Sequence, residues 1–80
     1  SLVATLNIVY RLTPTELGIL RMLADGKDRA EIAKIHCVES STIRTHVGNI
    51  LKKFEESSVK DVVDRLRNLG IFDIFTSEKS

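Results

Sequence analysis

At 80 residues with a formal charge of +1, the chain holds one small domain with a core of three or four short helices, too little for the paired layers in which most enzymes bury a cleft. Its 42% hydrophobic and 29% charged residues, with a single Pro, describe a folded chain rather than a disordered tail. Cys37 is the only cysteine, which excludes an internal disulfide and any standard zinc-finger spacing, and no segment approaches the roughly 18 apolar residues of a membrane span.

Residues 1–11 lack the basic start and cleavage pattern of a signal peptide and are expected to be a linker remnant. The first helix start is "LTPTE": Thr13 as N-cap, Pro14 at the first helical position and Glu16 completing a capping box. Leu17, Leu20 and Ala24, with Ile19 and Leu23 beside them, follow the helical period over 14–24, and Gly26 is placed to end it. Asp28 and Glu31 repeat the capping pattern and open a second helix over 28–36, with Ala30, Ile32, Ala33 and Ile35 as its apolar side. The segment "CVES" is then too short for anything but a tight turn between crossing helices. In a third helix over 40–54, Ile43, Val47, Ile50, Leu51 and Phe54 form the buried stripe. Ser58 with Asp61 opens a fourth helix over 59–69, whose stripe of Val59, Val62, Val63, Leu66 and Leu69 is wider than a three-helix core needs. Residues 73–80 read as a C-terminal tail.

The total charge says little about partners, because polyanion binding depends on where charge sits. Residues 40–54 carry Arg44, Lys52 and Lys53 and no acid, a local charge of +3, whereas residues 55–64 set Glu55, Glu56, Asp61 and Asp64 against Lys60, a local charge of −3. Thr45, Gly48, Asn49 and Lys52 fall opposite the apolar stripe of 40–54, flanked by Ser41 and Arg44. A polar, basic, acid-free helix face inside a helix-turn-helix points to double-stranded DNA as the partner. No nucleophile, base and orienting group stand at a useful spacing, so no enzyme activity is expected. His36, His46 and Cys37 do not make a ligand set, so no metal or other cofactor is expected. Cys37 reads as a small buried residue of the turn.

From Leu12 to Phe72 the pattern resembles the LuxR/GerE-type DNA-binding domain, also carried by NarL-like response regulators. The resemblance is carried by "LTPTE", the "DG" turn at Asp25 and Gly26, "EIA" at 31–33 and "STIRTHVGNILKKF", in the family's order and separations. It implies an all-α, four-helix helix-turn-helix domain over 12–72, the cytoplasmic output part of a bacterial transcription regulator whose N-terminal sensor or receiver lies outside this chain. It further implies that the helix over 40–54 enters the DNA major groove, with Arg44, Thr45 and Gly48 reading bases. Ser41, Thr42, Asn49, Lys52 and Lys53 would hold phosphates. Arg29 would either do the same or pair with Glu31 or Asp25. The helix over 59–69 would join two copies into a homodimer through Val59, Val62 and Leu66, so that Val62→Asp is expected to leave the fold intact and abolish cooperative binding. The chain departs from the family pattern in several places. Glu39 stands where the family has serine, Ala30, Ser41 and Gly48 stand where it often has cations, which reduces the expected DNA contacts, and "FEE" replaces the usual turn after the recognition helix. These leave open an alternative, a protein-interaction module on the same scaffold with weak or lost DNA binding.

Overall fold

The computed structural model describes residues 2–71, which form five helices: α1 (Leu2–Arg11), α2 (Pro14–Ala24), α3 (Arg29–His36), α4 (Ser40–Phe54) and α5 (Val59–Asn68). The expected tail, 73–80, and Phe72 lie outside the described residues. The four helices expected from the sequence are present within a residue or so of their expected bounds. The segment read as a linker remnant is itself helical: α1 lays Leu6, Ile8 and Val9 against the core and buries Thr5 completely.

Each helix start is built as its local sequence dictates. Thr13 Oγ1 accepts from the Glu16 N–H at 3.1 Å while Glu16 Oε1 accepts from the Thr13 N–H at 3.0 Å, a reciprocal cap ahead of Pro14. Asp28 and Glu31 close the same pair of bonds before α3. Ser58 Oγ accepts from the Asp61 N–H at 3.2 Å to start α5. The exception is α4, where Glu39 occupies the N-cap and makes no side-chain bond; neither Ser40 nor Ser41, both inside the helix, replaces it. An uncapped start leaves amide donors to solvent, and a good cap contributes about 1 kcal/mol. Glu39→Ser should therefore raise the stability of the isolated domain by roughly that amount in urea unfolding, and an unchanged midpoint would show that solvent satisfies the first turn equally well.

The ends of the helices set the turns. Gly26 adopts φ +93° just after α2, one residue beyond the C-cap Asp25. At the ends of α3 and α4 the left-handed position is held by Cys37 (φ 57°) and Glu55 (φ 54°), side chains that bear steric strain there. The helix-turn-helix thus follows from a left-handed Cys37, whose N–H returns to the Lys34 carbonyl, and from Val38, whose N–H bonds Ala33 O at 3.0 Å. Cys37 is exposed, which corrects the reading of it as a buried turn residue: a left-handed C-cap turns its side chain outward.

The core is Leu12, Ile19, Leu20, Ile32, Ala33, Ile43, Val47, Ile50, Phe54, Val62, Val63, Leu66 and Ile71. In α3 only Ile32 and Ala33 join it; Ala30 is exposed and Ile35 is 52% exposed, because an eight-residue helix crossing α4 turns only a narrow strip inward. Helix α4 packs against every other helix, so its position relative to the domain is the most constrained of the five.

Candidate nucleic-acid interface

The buried side of α4 is the expected stripe: Ile43, Val47, Ile50 and Phe54 are buried and Leu51 is half-buried. Since α4 is anchored on one side only, the residues opposite that stripe are left in solvent. Ser41, Thr42, Arg44, Thr45, Gly48, Asn49 and Lys52 are all exposed on this face, and no acid stands among them. Thr45 Oγ1 donates to Ser41 O at 3.1 Å, which fixes its hydroxyl and turns its methyl outward from that bond. Gly48 has open space around the position a Cβ would take. Nothing in the fold therefore demands glycine here.

The cations of the interface differ sharply in how free they are. The side chains of Arg44, Lys52 and Arg29 are exposed and take part in no hydrogen bond or ion pair among the described residues. Arg29, read as a phosphate group or as a partner of Glu31 or Asp25, thus pairs with neither acid. Lys53 is different. Its ammonium donates to Glu16 Oε1 at 2.6 Å and to the Arg11 carbonyl at 3.2 Å, so the side chain expected along the DNA backbone is engaged within the fold. The reason is geometric: Lys53 stands at the edge of the α4 face, where the start of α2 and the end of α1 meet it.

Glu16 lies at the centre of that junction and is 4% exposed. Burial alone would push its carboxyl up, but the hydrogen bond from Lys53, the Thr13 N–H and the charges of Lys53 and His46 outweigh it and hold the group below its usual value. A carboxyl depressed in the folded state adds stability that is complete above its unfolded value, near 4.5, and is lost as pH falls through the lower folded-state value. Glu16→Gln should therefore flatten the fall in melting temperature below about pH 4.5, seen by thermal denaturation at stepped pH; wild-type and variant curves of equal steepness would remove Glu16 from the acid response.

Two of the three expected dimer residues are not on the surface. Val62 and Leu66 are 0% exposed and Val59 is half-buried. The stripe that looked too wide is filled once α2, α4 and Ile71 pack against it. The outer side of α5 is polar, with Lys60, Asp61, Asp64, Arg67 and Asn68 exposed. Sequence reasoning also missed Arg65, half-buried, which donates to Thr5 Oγ1 (3.0 Å), Phe54 O (3.2 Å) and Glu56 Oε2 (3.4 Å) and so joins α1, α4 and α5. Its position next to Leu66 in the stripe was the only signal.

No helix among the described residues is long and apolar enough to cross a membrane. Residues 10–66 match the family described as bacterial regulatory proteins, luxR family. The chain is 34% identical over 61 residues to the transcriptional regulatory protein DesR of Bacillus subtilis (strain 168), covering 76% of this chain and 31% of that protein. It is 34% identical over 64 residues to the uncharacterized response regulatory protein YgeK of Escherichia coli (strain K12), covering 80% of this chain and 44% of that protein. It is 43% identical over 44 residues to the response regulator protein VraR of Staphylococcus aureus (strain NCTC 8325 / PS 47), covering 55% of this chain and 21% of that protein. The chain thus spans less than half the length of these relatives, and no solved structure matches it significantly. An all-helical domain with a short turn ahead of an exposed, acid-free α4, matched over most of its length by this family, is accounted for in one way: the chain belongs to the luxR family of bacterial regulatory proteins, as one of its helix-turn-helix domains for DNA binding in transcription regulation.

Proposed function

We propose that this domain binds double-stranded DNA with sequence preference, laying α4 in the major groove, as the cytoplasmic output part of a longer response regulator. The observation that carries the reading is the α4 face itself: seven exposed polar or small side chains with no acid among them and two cations, Arg44 and Lys52, free of internal partners. Arg44 and Thr45 are the base-reading groups. A guanidinium can donate to both O6 and N7 of guanine, and a threonine methyl can meet that of thymine. Gly48 lets the DNA come close to the helix backbone. Ser41, Thr42, Asn49, Lys52 and Arg29 lie along the phosphates, where charge and hydrogen bonding position the domain without reading sequence. The relatives named as response regulators support a receiver-controlled parent protein.

Pairing of two copies through Val62 and Leu66 is not part of this reading, since both side chains lie in the domain's own core. Few cations face the DNA, so binding by one copy should be weak and should fall steeply with added salt. Fluorescence anisotropy with a mixed-sequence duplex at low salt, followed by selection of sites from random DNA, tests the proposal. Salt-sensitive binding and an enriched motif are expected, and absence of binding at the lowest salt would leave the interaction-module alternative in its place.

A further inference from the structure

The two lysines at the end of α4 are adjacent in sequence and opposite in circumstance. Lys52 stands in the middle of the exposed face with its ammonium in solvent. Lys53 is one helical turn after Asn49 on the border of that face, and its ammonium is turned back to Glu16 and to the last carbonyl of α1. An ammonium on a flexible four-carbon stem could swing from this border toward a phosphate. What holds it back is Glu16: at 4% exposure, a carboxylate deprived of its partner is a buried, unpaired charge, which costs more than an exposed ammonium gains beside a phosphate. His46, half-buried, also faces this carboxylate, but it hydrogen-bonds neither Glu16 nor Lys53 and cannot replace the ion pair.

We infer that Glu16 is an affinity-setting residue that withholds Lys53 from the DNA backbone, so that the domain binds with one phosphate contact fewer than its α4 sequence offers. The inference rests on the reading of α4 as a DNA-binding helix. Glu16 acts through Lys53 and touches no DNA itself. Its amide replacement keeps an oxygen for the Thr13 N–H, so Glu16→Gln can retain the α2 cap while releasing the lysine.

The test is the salt dependence of binding to a fluorescein-labelled duplex of mixed sequence, measured by anisotropy for wild type, Lys53→Met, Glu16→Gln and the double variant, each first confirmed as folded by circular dichroism. Each phosphate neutralised adds about 0.9 to the slope of log K against log salt. Lys53→Met should leave the wild-type slope unchanged. Glu16→Gln should steepen it by about 0.9 and tighten binding by up to roughly eightfold at about 0.1 M salt. The double variant should return to the wild-type slope, which separates release of Lys53 from the general effect of removing an acid, since the latter would survive in the double variant. A slope that falls by about 0.9 in Lys53→Met would show that Lys53 already contacts DNA and would overturn the inference even if Glu16→Gln failed to fold. An unchanged slope in a folded Glu16→Gln would overturn it equally. If wild type binds no duplex at all, the DNA reading itself falls, whereas binding with the wrong pattern of slopes refutes only the role of Glu16.

Discussion

Val62→Asp should unfold the domain. Val62 is 0% exposed and part of the hydrophobic core, so the substitution exchanges a close-packed isopropyl group for a carboxylate shut off from solvent. Burying an unpaired charge belongs to the short list of changes that cost more than about 4 kcal/mol. The whole stability of a chain this size is on the order of 4 to 12 kcal/mol. Far-UV circular dichroism at room temperature should therefore show lost helicity and no cooperative melt, while Asp64→Asn on the exposed side of α5 should stay within about 0.5 kcal/mol of wild type. A folded Val62→Asp protein with a near-native melt would return this residue to the surface and reopen α5 as an apolar pairing face. The sequence-based expectation was the reverse, a folded protein defective only in cooperativity, so this one variant decides between the two placements.

Arg44→Ala should cost DNA binding about 1 to 3 kcal/mol on the preferred site, between roughly fivefold and 150-fold in Kd, and should flatten the preference between that site and a scrambled duplex. Arg44 is exposed and has no internal partner, so its removal disturbs nothing in the fold, and the loss can be assigned to the interface. Lys52→Ala is the matched comparison: an equally free cation that supplies charge alone should weaken both duplexes alike and lower the salt slope by about 1. The two variants need titrating side by side against both duplexes. Equal losses in every combination would mean that Arg44 also serves only as charge, and the base-reading role would have to move to Thr45 or another residue of the face.

How much of this was legible in the sequence depends on the range of the interactions involved. The starts of α2, α3 and α5 could be read because each is set by bonds spanning three residues, as in Thr13 with Glu16. The exposed face of α4 was legible for a similar reason: the helical period that buries Ile43, Val47, Ile50 and Phe54 fixes which residues lie opposite. Helix α1 was missed although Leu2, Leu6 and Val9 keep a helical spacing. It lacks a capping box and is rich in β-branched residues, and it is tied down by Arg65 from the far end of the chain. The internal contacts of Lys53 and of the α5 stripe were not legible for one reason. Both depend on contacts between residues distant in sequence, Lys53 with Glu16 and Val62 with the core of α2 and α4, and a pattern of apolar or charged positions cannot say which neighbour will claim them.

Three basic side chains end on the closing carbonyl of a helix: Lys53 on Arg11 O, Arg67 on Ala24 O and Arg65 on Phe54 O. Each places positive charge where the helix dipole is negative, so these groups serve as fasteners between segments, while Arg44 and Lys52 serve the outer surface. On the proposed DNA-binding reading, the architecture and the ligand draw on separate cations. Surface recharging of the α4 face can tune affinity with little effect on melting, and the same edit at Arg65 or Arg67 would do the opposite.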